Sequence, residues 1–376
     1  MINRISALAL VLAFAGLASA GDLKVVVGFK GEPDAALLRK LGASPGKALS
    51  GQDALRATLP ASAIARLRAH ASIAYVEADG IVTLLKGKPA NPGNGNDSDS
   101  PPPQVTPWGI AHVGAPLAGN SGDGIKVAVI DTGINLGHSD LAANIKGSVD
   151  FTGSRKGAED EHGHGTHVAG TIAGIDNTIG VVGVAPKACL YAVRVLDRRG
   201  AGRWSDLSDA ITWCVDNGMN VGNMSLGGSS APSYVKTACD NAQANDVLLV
   251  AAAGNSGDGN TGTPELSFPA AYDSVVSVAA IESDDDLASF SNSGAHVEVS
   301  APGVGVYSTY KKDAYATLSG TSMASPHAAG VAAVIWKEIA SPTAASVRTE
   351  LQARVRDLSP AGRDTGYGFG VVDLNP

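Results

Sequence analysis

The chain has 376 residues, 44% of them hydrophobic, which exceeds one average domain and is enough to fill a large core, so a disordered protein is excluded. With 28 basic against 36 acidic residues and a net charge of −8, it has no electrostatic reason to bind nucleic acid or an anionic membrane, and a partner is expected in a cleft. Forty-six glycines beside 5% aromatics argue for tight turns and an α/β or β architecture rather than a helical bundle.

Residues 1–20, "MINRISALALVLAFAGLASA", carry Arg4, an apolar run and the small-x-small end Ala18-Ser19-Ala20. This predicts a secretory signal peptide cut after Ala20; the run is too short for a spanning helix and no charged stop follows it. No other stretch reaches spanning length, so a soluble, exported mature protein is expected. Residues 21–85 alternate strand-like and helix-like segments, "DLKVVVGF", "EPDAALLRKLG", "ALRATLP", "ASAIARLRAH" and "IAYVEADGIVTLL", the pattern of a compact α+β module of the split βαβ kind. Residues 86–103, "KGKPANPGNGNDSDSPPP", read as a solvated linker open to proteolysis.

From residue 104 to 376 the pattern changes. "IKVAVID", "CLYAVRVL", "GMNVGNMSL", "VLLVAAAGN" and "VVSVAAI" are near-continuous apolar runs, as parallel strands covered on both faces require. "GTHVAGTIAGI", "SDLSDAITWCVDNG" and "SYVKTACDNAQAND" read as helices between them. A doubly wound, mostly parallel α/β sheet with helices on both faces is predicted, its ligands bound beyond the carboxyl ends of the strands. Cys189, Cys214 and Cys239 are too few for a disulfide framework; Cys214 and Cys239 could pair, although buried free thiols are the simpler reading.

Chemistry concentrates in three segments. "EDEHGHGTHVAGT", residues 159–171, places His162, His164 and His167 in the His-x-His-x-x-His spacing of metallo-β-lactamase-type zinc hydrolases, so a metal-dependent hydrolase is one reading. An acidic residue is missing where this chain has Thr166, and further ligands are not evident; His167 is better read as facing the interior and His162 as an exposed loop residue. Asp131 ends the strand "VAVID", where a carboxylate can simply cap a turn. Ser322, in "GTSMASPHAAGVAAVIW", sits where a glycine-rich turn enters an apolar helix, so its hydroxyl lies near free N–H groups and a partial positive charge. Taken with a histidine, the two become a possible nucleophile, base and orienting acid.

"VAVIDTGI", "HGTHVAGT" and "GTSMASPH" closely resemble the three signature segments of subtilisin-like serine proteases, in the chain order Asp, His, Ser. "VVGVAPKACLYAVRVLD", "NMSLGG", "AAAGNSG", "SFPAAYDSVVSVAA" and "YGFGVVDLNP" extend the likeness over nearly everything from Gln104 to Pro376. The resemblance implies a secreted serine endopeptidase with Ser322 as nucleophile, His164 as general base and then acid, Asp131 as the carboxylate holding the imidazole, and Asn255 as oxyanion donor beside the Ser322 N–H. It implies that Ser225, Leu226 and Gly227 pair with extended substrate and that Ala252 to Gly254 wall an apolar pocket. Broad specificity follows, with large apolar residues preferred before the cut.

The same resemblance implies a structural Ca²⁺ site, with no catalytic metal. Its ligands would be the side chains of Gln104, Asp140 and Asn177 and the carbonyls of Ile175, Ile179 and Val181, six oxygens suited to a hard cation. Residues 21–85 resemble an inhibitory propeptide that assists folding and leaves its last strand in the cleft. Counting along "YVEADGIVTLL" puts self-cleavage after Leu85, with Val82 in the fourth subsite and possible later trimming of the linker. Protein and peptide substrates, the chain's own propeptide as inhibitor and a monomer are expected, with no nucleic acid and no membrane after signal cleavage. A catalytically inactive peptide-binding relative is the remaining alternative.

Overall fold

The computed structural model describes residues 22–85, 101–115, 121–358 and 360–375; the expected signal peptide and most of the expected linker lie outside them. The chain divides into two compact units, one ending at Gly80 and one beginning at Ile81.

In the first unit, β1 (Leu23–Phe29), β2 (Ser44–Ala48), β3 (Ala54–Leu59) and β4 (Ile73–Ala78) form an antiparallel sheet in the order β2-β3-β1-β4. Helices α1 (Ala35–Lys40) and α2 (Ala61–Arg68) follow β1 and β3, giving the βαββαβ order of the split βαβ module. The run "LKVVVGF" can occupy a central position because Val25, Val26 and Val27 are all fully buried. Leu38 of α1 and Leu67 of α2 close the core against Leu59 and Ile73. Asp34 caps α1 by accepting from Leu37 N–H at 2.9 Å.

"IAYVEADGIVTLL" is not one strand. It breaks after Ala78, and β5 (Ile81–Leu84) belongs to the second unit. There the main sheet has nine strands, with β6 (Lys126–Asp131) between β8 (Cys189–Arg194) and β10 (Val221–Met224). β7 (Ile145–Asp150) lies outside β8; on the other side follow β12 (Leu248–Ala252), β13 (Val275–Ile281) and β14 (Val299–Pro302). The short β18 (Val371–Val372) and β17 (Val355–Arg356) complete the edge, and only the β17–β18 pair is antiparallel. The expected doubly wound, mostly parallel sheet is therefore present, its apolar runs buried along their whole length in β12 and β13.

Helices cover both faces. α4 (His164–Ala173) and α7 (Thr321–Glu338) pack on each other, α7 lying across β10, β12, β13 and β14; α3 (Trp108–His112) lies against β14 and α8 (Ala344–Ala353) against α7. α5 (Trp204–Asp216) packs on α6 (Ser233–Ala244), and these two reach β6 and β12. A hairpin of β15 (Val306–Tyr310) and β16 (Ala314–Leu318) packs on α4 through β15. Strand order reverses at β6, since the next strands in the chain go to one side and β10 onward to the other. That reversal opens a crevice beyond the carboxyl ends of β6 and β10.

No helix among the described residues is long and apolar enough to cross a membrane. Cys214 on α5 and Cys239 on α6 are free and buried, and burial pushes both thiols well above their ordinary range; Cys189 is free as well.

Candidate active site

Asp131 is the last residue of β6, fully buried, and its carboxylate faces the first residue of α4. His164 Nδ1 lies 2.8 and 3.0 Å from the two carboxylate oxygens, and Thr132 N–H donates to one of them at 2.7 Å. A hydrogen on Nδ1 leaves Nε2 as a bare acceptor. Burial opposes a proton on His164, but the charge and hydrogen bond of Asp131 outweigh it and hold the imidazole above its ordinary value of 6.5. The backbones approach this closely because residue 165 is glycine: a Cβ there would stand 2.1 Å from the Gly133 carbonyl oxygen.

Ser322 stands in the first turn of α7, an almost wholly buried helix. Pro326, inside that helix, has no N–H to give the Ser322 carbonyl four residues back. Ser225, just after β10, fills the gap: its Oγ donates to the Ser322 carbonyl at 2.8 Å, while Ser322 Oγ donates to the Ser225 carbonyl at 3.2 Å. Asn223 on β10 ties the arrangement together, giving Nδ2 to Ser225 Oγ at 3.0 Å and accepting from Ser325 Oγ at 2.7 Å.

Asn255 follows β12 in the loop beside this helix start. Its Oδ1 accepts from both Thr321 N–H and Thr321 Oγ1 at 2.9 Å, which fixes which way the amide points. Its Nδ2 is buried and meets no partner among the described residues. A buried amide N–H without an acceptor is costly, so this one leaves a donor free at the start of α7. Asn292 braces the loop, donating to the Ala253 carbonyl at 2.9 Å and accepting from Ser256 N–H at 2.7 Å.

Beside these residues β5 forms the middle of a three-stranded antiparallel sheet, between β11 (Leu226–Gly227) and β9 (Ala201–Arg203). Leu226 pairs with Leu84 and Gly227 with Thr83; Val82, fully buried, pairs with Gly202. A cavity of about 240 Å³ at the end of β5 is lined by Leu85, Gly227, Gly254, Asn255 and Asn292 among others. A Cβ on Gly227 would come 3.3 Å from Leu85 Cδ2. Ser225 and Leu226 are buried beside it, and Ala252 is buried at the end of β12.

The other two histidine rings make no bond to Asp131 or Ser322 among the described residues; His162 Nδ1 is buried without a partner there. His167 Nε2 lies 3.0 and 3.1 Å from the carbonyls of Val306 and Ala316, and burial, with His164 nearby, pushes its pKa down to about 3. The His162 ring centre is 6.3 Å from that of His164. His162 is half-buried rather than exposed, because Tyr310 Oη donates to its carbonyl at 3.2 Å and Asp160 accepts from its N–H at 2.9 Å. The imidazoles therefore do not converge, and no group of three His, Cys, Asp or Glu among the described residues could hold a metal ion.

A different cluster forms around Asp140. Asp140, fully buried, accepts from Asn177 Nδ2 and Val181 N–H, both at 2.8 Å, and Gln104 Oε1 accepts from Asn177 N–H at 2.5 Å. The carbonyls of Thr178 and Gly180 accept from the N–H groups of Gln104 and Val105. Those of Ile175, Ile179 and Val181 take no such backbone bond among the described residues. Burial pushes the Asp140 pKa up to about 6, although the bonds from Val181, Asn177 and Tyr315 act the other way.

The Subtilase family model matches residues 122–370. The chain belongs to the subtilase family. It is 44% identical to Subtilisin DY of Bacillus licheniformis over 274 residues, 72% of this chain and 98% of that one. It is 42% identical to M-protease of Shouchella clausii (strain KSM-K16) over 305 residues, 80% of this chain and 73% of that one. With Subtilisin E of Bacillus subtilis (strain 168) the match is 38% identical over 367 residues, 95% and 90% of the two chains. This subtilase is a serine endopeptidase. Thr132, Asn223, Thr321, Ser325 and Asn292 escaped the sequence reading: each supports the subtilase site through bonds to partners distant in sequence, and a lone polar residue in a strand or loop gives no sign of that.

Proposed function

We propose that the enzyme cleaves extended polypeptide by an Asp131–His164–Ser322 triad through an acyl-enzyme, and that its first substrate is its own chain after Leu85. The observation that carries this is β5, held as the central strand of a sheet with Leu85 at a cavity shared with Asn255. A substrate strand between β11 and β9 is recognised by backbone bonds that any sequence can make, and the cavity beyond it takes an apolar side chain. Broad specificity with large apolar residues before the cut follows, and Val82 takes the fourth subsite.

In this reading His164 Nε2 removes the Ser322 proton as Oγ turns from the Ser225 carbonyl to attack the substrate carbonyl. Asp131 keeps the Nδ1–H tautomer and stabilises the imidazolium; the oxyanion that forms meets Asn255 Nδ2 and the Ser322 N–H, which has no intrahelical acceptor in the first turn. The imidazolium then protonates the leaving amine, and water repeats the sequence on the ester.

Residues 21–85 serve as a folding aid and inhibitor, and the enzyme is exported as a monomer once residues 1–20 are removed. Gln104, Asp140, Asn177 and the carbonyls of Ile175, Ile179 and Val181 would supply a calcium ion with hard oxygens: the three carbonyls take no backbone bond among the described residues, and Asn177 would turn its side-chain oxygen from Ile179 N–H to the ion. Bound there, calcium would brace the 175–181 loop. If the ion is present at about 100 times its Kd, chelation should cost about 2.7 kcal/mol of stability and lower the melting temperature; an unchanged melting curve would remove calcium from the proposal.

The test of the whole is to treat the protein with a phosphonylating reagent and to express Ser322→Ala. Labelling of Ser322 with loss of casein cleavage, and accumulation of Ser322→Ala as unprocessed precursor, are expected. Processing of the purified variant at the normal rate would overturn self-cleavage, and a first N-terminus at Gln104 with no Lys86 species would overturn the site.

A further inference from the structure

The start of α4 poses a problem that His164 alone does not solve. The residue before it, Gly163, has φ +108° and no side chain, so it cannot cap the helix. Yet the first-turn N–H groups of a buried helix need acceptors. Asp160, 4% exposed, supplies an acceptor for the Thr166 N–H of that turn and for the two N–H groups leading into it. Its Oδ1 accepts from the N–H groups of His162 at 2.9 Å and Gly163 at 2.8 Å, and its Oδ2 from Thr166 N–H at 3.0 Å and Thr166 Oγ1 at 2.6 Å.

A further bond joins this cap to Asp131. Thr132 Oγ1 donates to Asp160 Oδ1 at 2.9 Å and accepts from Gly165 N–H at 3.0 Å, while Thr132 N–H donates to Asp131. The bonds close a ring from Asp131 through Thr132, Asp160 and the first turn of α4 to His164 and back to Asp131. We infer that Asp160 is a positioning residue for His164: it caps α4 and ties it to the end of β6, so the imidazole keeps its place against Asp131. This rests on the reading of His164 as general base.

Asp160 is itself anchored. Arg194, beside Asp131 in the β6–β8 register, is buried and donates to the Gly157 and Glu159 carbonyls at 3.2 and 2.7 Å and to Glu161 at 3.0 Å. The flanks of Asp160 are thus fixed to β8. The charged and titratable groups around the pair are Asp131 from β6, His162 and His167 beside His164, and Tyr310 and Lys311 from the β15 hairpin. On His164 burial opposes the proton, whereas Asp131 and then Asp160 favour it. Asp160 therefore contributes charge as well as geometry, and the two can be separated.

The measurement uses the full chain after maturation, with active sites counted by phosphonylation of Ser322. Asp160→Asn should move the acidic limb of kcat/KM down by about half a pH unit or more and lower kcat about tenfold, with KM little changed. A purely structural role would reduce the labelled fraction but leave the limb of that fraction in place, so an unmoved limb with normal kcat overturns the inference. If Asp160→Asn stays trapped as precursor, Thr132→Val decides: it keeps the carboxylate and removes the tie. A lower kcat with the limb in place supports the inference, and normal kcat overturns it. Activity that persists without labelling of Ser322 would instead refute the triad reading and leave Asp160 unassigned to catalysis.

Discussion

The two halves of the site are built on opposite principles. On the two carboxylates beside His164 the hydrogen-bonding capacity is largely taken up: Asp131 holds the imidazole and the Thr132 N–H, and Asp160 takes five donors. Around Ser322 capacity is left open: Asn255 Nδ2 has no partner, and Ser322 Oγ rests on the Ser225 carbonyl instead of on His164. In the mechanism proposed above, the carboxylates that hold the base are in place before substrate arrives, whereas the half around Ser322 is completed by it. Preorganised donors of this kind act where charge develops, without reorganising at the moment of reaction.

Removing the proposed nucleophile breaks the open half most severely. Ser322→Ala should lower kcat about 10⁶-fold, the size established for subtilisin, measured on a chromogenic peptide. Asn255→Ala should lower kcat by about 10²–10³, again the subtilisin figure, with KM little altered; an equal rise in KM would mean that Asn255 binds the ground state instead. Acid breaks the closed half. Because His164 is held above 6.5, kcat/KM should fall about tenfold per unit as pH drops below a limb lying above that value. The stability term has the opposite sign: the raised pKa contributes fully below about 6.5 and is lost as pH rises through the folded value. A limb below 6.5 in pH–rate profiles would contradict the Asp131 contribution. Thr321→Val leaves the backbone bond to Asn255 but removes the hydroxyl one, and should cost kcat about tenfold by letting the amide turn.

The contrast also explains what could be read in the sequence. The sheet was legible because β6, β8, β10, β12 and β13 are near-continuous apolar runs, and Asp131, His164, Ser322 and Asn255 stand out because each ends or follows such a run or opens a helix. The short edge strands β17 and β18 and the half-exposed β7 carry no such pattern, so their places come only from pairing with neighbours. The break of residues 73–85 into β4 and β5 was hidden for a related reason. Both halves are apolar enough for a strand, and only long-range pairing with β1 or with β9 and β11 separates them. Asp160 lay in full view between two other acids, and nothing in "EDEHGHGTH" distinguishes a buried acceptor of five bonds from a solvated one.

The smallest effect on kcat tests the bond on which the open half rests. Pro326 takes the helical donor away from the Ser322 carbonyl, and Ser225 Oγ replaces it while also accepting from Asn223. Ser225→Ala strands two buried polar groups at once, the Ser322 carbonyl and the Asn223 amide, and leaving buried groups unmade costs about 1–3 kcal/mol each. Across a unit of this size that corresponds to a fall in melting temperature of roughly 2–4 °C per kcal/mol, read by calorimetry on the phosphonylated enzyme so that self-digestion does not interfere. The backbone carbonyl of Ser225, which holds Ser322 Oγ, is retained in the variant. If that carbonyl alone fixes the resting nucleophile, kcat should change far less than stability; a kcat loss as large as that of Thr321→Val would show that the hydroxyl positions Ser322 through the helix itself.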